Sequence, residues 1–301
     1  MLTDLLEKFF KGDRLALSRL VSVVENRSDQ LPEVMKAIFP KLHDSPVLGI
    51  TGPPGAGKST LVNQVISHVR SLGKTVGIVA IDPSSPFTGG AVLGDRIRMQ
   101  DHAGDAGVFI RSLGSRGAHG GLSRATRDII KLFDAFGMDQ IIVETVGVGQ
   151  TELDIMEIAS TTLVVLTPES GDTIQTMKAG LLEAANLFAV NKADRDGAGK
   201  MALELQTMVH LSAGPDAADW QIPVLQVQAV FGKGIAELYE AVLQHETYIR
   251  TSGKLNECKQ QMRVAELIDL IAERLLQKTT QQLNSDPKLI QLKQQVEKGE
   301  L

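Results

Sequence analysis

A single cysteine, Cys258, stands in 301 residues. One thiol supports neither an internal disulfide framework nor a cysteine-based zinc site within the chain. Net charge is also small. Lys and Arg number 31 against 36 Asp and Glu, so the balance of -5 leaves no electrostatic footprint for a nucleic acid. No apolar run reaches membrane-spanning length. The first residues, MLTDLLEKFFKGDR, lack the basic start and long apolar core of a secretory leader. The expected location is the cytoplasm, with neither membrane nor nucleic acid as a partner. His43, His68, His102, His119, His210 and His245 show no metal-ligand spacing, and each reads as a surface or core residue. Internal repeats and low-complexity domains are absent from the sequence. What is present is a 43% share of hydrophobic residues, enough for a sizeable core.

Along the chain, residues 1–42 read as a helical extension. Leu2, Leu5, Leu6, Phe9 and Phe10 recur at helical spacing, Asp13 is placed to cap a second helix, and Pro32 sits where a third begins. Over 43–250 the pattern becomes short apolar strands alternating with amphipathic stretches. The strands are expected at 47–51, 75–81, 108–111, 140–144, 162–166, 187–190 and 224–227. Helices are expected between most of them, including 121–136, 173–185 and 233–245. Such alternation predicts an α/β fold, a mostly parallel sheet with helices on both faces. After Arg250 the tract TSGKLNECKQQ reads as a polar linker. Val264, Leu267, Ile268, Ile271 and Leu275 then mark a further amphipathic helix within 251–301, before a polar end rich in Gln and Lys.

Chemistry enters with Gly52-Pro53-Pro54-Gly55-Ala56-Gly57-Lys58-Ser59-Thr60, which fits the P-loop pattern G-x-x-x-x-G-K-[ST]. The context matches: an apolar strand precedes it and a helix-like segment follows. Glycines let successive N–H groups turn toward phosphate oxygens, and a helix N-terminus adds partial positive charge. Lys58 is placed to bridge the terminal phosphates, and the Ser59 hydroxyl to ligate Mg²⁺.

Downstream, Asn191-Lys192-Ala193-Asp194 follows the strand at 187–190. This is the N-K-x-D pattern of guanine-specific nucleoside triphosphatases. The Asp194 carboxylate accepts from the N1–H and 2-amino donors of guanine, whereas adenine offers neither and would leave it unpaired. Gln228-Ala229 follows the strand at 224–227, where such proteins carry a Ser-Ala pair whose Ala N–H reaches the base carbonyl. Gln228 replaces the Ser. Glu144-Thr145-Val146-Gly147 resembles the D-x-x-G switch motif with Glu for Asp. Its acid would hold water or metal near the phosphates, and the Gly147 N–H would meet the γ-phosphate. Many small GTPases follow that glycine with a water-orienting Gln; here Val148 follows, and Gln150 comes two residues later, so slow intrinsic hydrolysis is expected. Asp82 and Asp95 are both candidates to support Mg²⁺, each with the alternative of a helix cap or a solvated loop acid. Trp220 reads as a packing residue.

Together these motifs resemble the MeaB/ArgK family of P-loop GTPases, the methylmalonyl-CoA mutase-associated GTPases, once called LAO/AO transport ATPases. The resemblance is carried by GPPGAGKSTL at 52–61, IDPSSPFTGGAVLGDRIRM at 81–99, FIRSLGSRGAHGGLSRAT at 109–126, ETVGVGQTELDI at 144–155, GDTIQTMKAGL at 171–181 and NKAD at 191–194, with LSRLVSVVENR at 17–27 upstream. It implies a central GTPase domain with helical extensions at both ends, the C-terminal one a homodimerisation arm. It implies a chaperone of an adenosylcobalamin-dependent acyl-CoA mutase, which gates cofactor loading and protects the mutase. It also implies that Asp172 and Lys178 form a third switch coupling the mutase to GTP hydrolysis. The chain departs from the family pattern at Leu113-Gly114, where Met-Pro is usual, at Ile97, where Thr is common, and at Gln228. Two competing readings predict different features. A nickel metallochaperone GTPase would carry a His-rich tract or a Cys-His site, and a P-loop kinase would lack the guanine-reading NKAD.

Overall fold

Each short apolar run forms a strand in the computed structural model, which describes residues 2–83, 100–102, 104–115, 124–145, 155–170, 185–212 and 220–299. The strands are β1 (Val47–Thr51), β2 (Val76–Pro83), β3 (Val108–Ser115), β4 (Gln140–Thr145), β5 (Thr161–Leu166), β6 (Leu187–Val190) and β7 (Val224–Gln226). Among the described residues they make one seven-stranded sheet, ordered β3-β2-β4-β1-β5-β6-β7. Every pairing is parallel. Parallel pairing puts the carboxyl ends of the strands at one edge, and the chain order reverses around β1, the kind of place where open α/β sheets bind ligands.

Strand ends differ from the expected bounds by a few residues. β2 continues through Asp82 and Pro83, and β3 through Ser115, because Asp82 pairs with Gly114 and Pro83 with Ser115. The ladder partner, not the apolar run, sets the end.

Helices cover both faces. On one, α4 (Lys58–Ser71) and α7 (Ile235–Thr251) bury Leu61, Val65, Leu238 and Val242 against Leu48, Ile50, Ile78 and Ile142. On the other, α1 (Leu2–Phe10), α2 (Arg14–Glu25), α3 (Leu31–Ile38) and α5 (Arg124–Phe136) bury Phe9, Leu17, Leu20, Ile38 and Phe133 against Val79, Ile81, Ile141 and Val143. Near the β6 end, α6 (Ala198–Ser212) packs Met201 and Leu205 on Val164 and Phe188. Alternate residues of each strand thus serve opposite layers.

The N-terminal helices are fastened by polar bonds as well as by apolar burial. Asp13 caps α2, accepting from the Leu15 and Ala16 N–H groups at 2.7 and 3.2 Å. The Arg14 guanidinium donates to the carbonyls of Asp105 and Val108, both at 2.6 Å. Arg111 of β3 pairs with Glu25. Asp134 of α5, only 7% exposed, accepts from the N–H groups of His43, Asp44 and Ser45 at 3.0, 3.2 and 2.8 Å. Asp134→Ala strands three backbone donors, and we expect it to cost about 2–4 kcal/mol, read as a lowered urea midpoint.

Residues Met1–Ile249 form one compact unit and Arg250–Leu301 another. In the second, α8 (Lys254–Ser285) and α9 (Pro287–Glu297) meet at Asp286, whose side chain caps α9 by accepting from the Lys288 N–H at 2.8 Å. Most of the tract read as a polar linker is helix, with a break only at Ser252-Gly253. α7 ends at Thr251 and α8 begins at Lys254. Lys, Glu, Gln, Leu and Met favour helix whether or not they are buried, so polarity alone was a poor guide. Among the described residues no helix is long and apolar enough to cross a membrane.

Candidate nucleotide site

The turn from β1 into α4 is shaped by its glycines. Gly52 has φ +140°, and a Cβ there would sit 2.1 Å from the Val165 carbonyl oxygen of β5. Gly57, at φ +82°, caps α4 with no side-chain hydrogen bond to the helix N–H groups. A Cβ on Gly57 would fall 2.5 Å from Asn191 Nδ2. Only glycine lets the loop lie this close to its neighbours.

Lys58, the first residue of α4, is 6% exposed. Its Nζ donates to the carbonyls of Gly52 at 2.7 Å and Pro53 at 3.0 Å, so the ammonium is folded back over the loop it would share with phosphate. Next to it, Ser59 Oγ donates to Glu144 Oε1 at 2.7 Å. Glu144 comes from β4, where it pairs in register with Ile50, and is 2% exposed. Beneath them Thr145 Oγ1 donates to Thr51 Oγ1 at 2.9 Å. A hydroxyl and a carboxylate brought together are the hard oxygen donors that Mg²⁺ takes, so Ser59 and Glu144 fit that ion.

Asn191 joins three loops. It is 3% exposed. Its Nδ2 donates to the Ala56 carbonyl of the P-loop at 2.8 Å, and its Oδ1 accepts from the Ala229 N–H at 3.1 Å. Lys192 follows with φ +56°, an uncommon region for a residue with a side chain. The Ala193 N–H donates to the Val227 carbonyl at 3.1 Å, tying the loop after β6 to the end of β7. Asp194 stands exposed on this loop. Gln228 and Lys233 exchange backbone bonds at 3.0 and 3.3 Å, closing the loop after β7.

A glycine-shaped P-loop, an acid on its serine, and an N-K-x-D loop bonded to the P-loop through Asn191 describe a nucleotide-binding centre. The sequence model of the family described as "Methylmalonyl Co-A mutase-associated GTPase MeaB" matches residues 17–284.

The chain belongs to the MeaB family.

This MeaB-family protein is a P-loop GTPase, with GTP and GDP as its nucleotides. It is 47% identical over 277 residues to a protein of Pyrococcus abyssi, with 92% of this chain and 85% of that one covered. It is 34% identical over 270 residues to the GTPase ArgK of Escherichia coli, with 87% and 81% covered. The mouse methylmalonic aciduria type A homolog, named as mitochondrial, is 29% identical over 284 residues, with 89% and 68% covered. Among solved structures, an LAO/AO transport system kinase superposes with a TM-score of 0.75 at 26% identity, covering 98% of this chain and 97% of that one.

Of the residues read from the sequence, the MeaB-family fold brings Ser59 and Glu144 into contact, folds Lys58 onto the Gly52 and Pro53 carbonyls, and sets Asn191 against the P-loop. Asp82 takes its place in the backbone of β2. Asp95, Gly147, Asp172 and Lys178 lie outside the described residues, as do Val148, Gln150 and most of 173–185. The Ala229 N–H, expected to reach a base carbonyl, is donated here to Asn191 Oδ1, because an amide this buried takes a partner. Three features went unread in the sequence. Asn191 is a hub and not only a motif member. Glu169 pairs with both Arg195 and Lys192. Thr51 and Thr145 bond beneath the site. The sequence carried no local signal for the last two, since each joins residues far apart in the chain.

Proposed function

We propose that this GTPase is a chaperone of an adenosylcobalamin-dependent acyl-CoA mutase of the methylmalonyl-CoA mutase type, gating cofactor loading and guarding the mutase against inactivation. The observation that carries the reading is the match over residues 17–284 to a family named for association with that mutase, joined by likeness to the mouse methylmalonic aciduria type A homolog. In this reading Lys58 holds the terminal phosphates, and Gly147 meets the γ-phosphate. Ser59 and Glu144 hold Mg²⁺, with Asp82 and Asp95 in support. When bound, Mg²⁺ neutralises phosphate charge. Asp194 reads guanine, flanked by Lys192 and by Gln228 and Ala229. The C-terminal unit is a homodimerisation arm: Val264, Leu267, Ile268, Ile271 and Leu275 recur along α8 at helical spacing and are each more than half exposed.

Mutase enters through Asp172 and Lys178. Slow hydrolysis alone, from Val148 in place of a glutamine, is to be raised by the partner. Charge supplied by arginine fingers accelerates hydrolysis by roughly 10³–10⁵, and a lysine in a rearranged segment should give less. The test is GTP hydrolysis with and without each of a panel of purified B12-dependent mutases. We expect one mutase to raise the rate, and Lys178→Ala to lose most of that stimulation. No stimulation by any mutase would refute the partner, and full stimulation of the variant would refute the third switch.

A further inference from the structure

Two cations flank the base-reading carboxylate in the chain: Lys192 and Arg195 stand on either side of Asp194. A guanidinium next to a carboxylate readily forms a charge-assisted pair with it. An Asp194 so paired would have its oxygens turned to arginine rather than to the N–H donors of a base. Neither cation takes that route. Arg195 Nη1 donates to Glu169 Oε1, and Lys192 Nζ lies 3.7 Å from Glu169 Oε2. Asp194 has no hydrogen-bond or ion-pair partner among the described residues.

Topology puts Glu169 there. It lies in the Pro168–Ser170 turn that follows β5, and the NKAD loop follows β6, the parallel neighbour of β5. The two loops leave the sheet side by side. They are joined where the Asn191 N–H donates to the Leu166 carbonyl at 2.7 Å. The Arg195 N–H closes a turn onto the Lys192 carbonyl at 2.9 Å, which holds the left-handed Lys192 in place. The hydrogen bond from Arg195, helped by the Glu169 N–H, the Thr167 hydroxyl and last by the charge of Lys192, draws the Glu169 carboxyl down to about 2, so it stays ionised throughout the working range.

We propose that Glu169 is a positioning residue for base selection: it draws Arg195 and Lys192 off Asp194 and leaves that carboxylate open to the paired N–H donors of guanine. The inference rests on Asp194 as the base reader. Glu169 and Arg195 are exposed, and exposed pairs contribute little to folding, so the effect belongs in base choice and not in thermal stability. Adenine never uses Asp194, so its binding is indifferent to where Arg195 points.

The test measures GDP, IDP and ADP affinities of the full chain with Mg²⁺, at low and high salt. IDP lacks the 2-amino group and so removes one donor to Asp194. Glu169→Gln should weaken GDP binding by about tenfold, narrow the preference for GDP over IDP, and leave ADP binding and the melting temperature nearly unchanged. The loss should shrink at high salt, which screens the competing Arg195. Arg195→Ala alone should bind GDP as the parent does. Arg195→Ala added to Glu169→Gln should restore most of the affinity, because it removes the competitor. If the double variant binds GDP no better than Glu169→Gln, or if Glu169→Gln binds as the parent does, the proposal is overturned. Asp194→Asn separates the two levels. If it keeps the preference for GDP over ADP, the base-reading assignment itself fails. If it loses that preference while Glu169→Gln keeps its GDP affinity, only the role of Glu169 falls.

Discussion

Lys58→Ala is expected to lower single-turnover GTP hydrolysis by about 10²–10³, the scale set by deleting one preorganised donor from a site of developing charge. The loop from Gly52 to Ser59 carries no other cation. Lys58 is nearly buried, and its Nζ already rests on the Gly52 and Pro53 carbonyls. A triphosphate takes over a donor that the loop has ordered in advance, which lessens the reorganisation needed at binding. The variant should therefore lose triphosphate affinity more than diphosphate affinity, because the terminal phosphate is the group Lys58 is placed to meet. Calorimetry with GDP and a non-hydrolysable triphosphate checks this. Equal losses for both nucleotides would mean that Lys58 shapes the loop rather than reading the last phosphate.

Asn191→Ala should produce the second largest effect, and on two readouts together. The substitution removes a donor from the Ala56 carbonyl and an acceptor from the Ala229 N–H, both deep in the site. Two buried groups left unpaired should cost about 2–4 kcal/mol of stability. The P-loop, the NKAD loop and the loop after β7 would lose their shared anchor, so GDP affinity should fall at least about tenfold. Asn191→Asp keeps the acceptor but sets a carboxylate against the Ala56 carbonyl, and should fare no better. Urea unfolding read beside GDP titration decides the matter. A stability loss well under 1 kcal/mol would show that the loops hold their places without this side chain.

Much of this architecture was legible from residue order. Strands β1 and β6 begin and end where their apolar runs do. Asp13 caps the helix that its position announces. Trp220 packs as expected, donating to the Asn186 carbonyl at 2.8 Å with its ring against His245. The P-loop glycines lie in the left-handed or extended positive region that their pattern implies. All of these are local facts. Periodicity records which side chains must leave water, and glycine records where the backbone turns in ways other residues resist.

The meeting of distant groups was not legible in this way. Ser59 and Glu144 are 85 residues apart, Ala56 and Asn191 are 135 apart, and Glu169 and Arg195 are 26 apart. Only the placement of β4 and β5 on either side of β1, and of β6 beside β5, brings them together. The polar tract after Arg250 misled for a related reason: its helix owes nothing to a buried face that a hydrophobic pattern would reveal. Residue order by itself determined that this chain builds a parallel sheet with a P-loop and an N-K-x-D motif at strand ends, because burial and turn chemistry are written locally. Tertiary structure alone decided which acid stands on Ser59, which side chain ties the three loops, and which carboxylate pairs with Lys192 and Arg195. Each of those choices pairs polar groups across crossovers whose path no local pattern records.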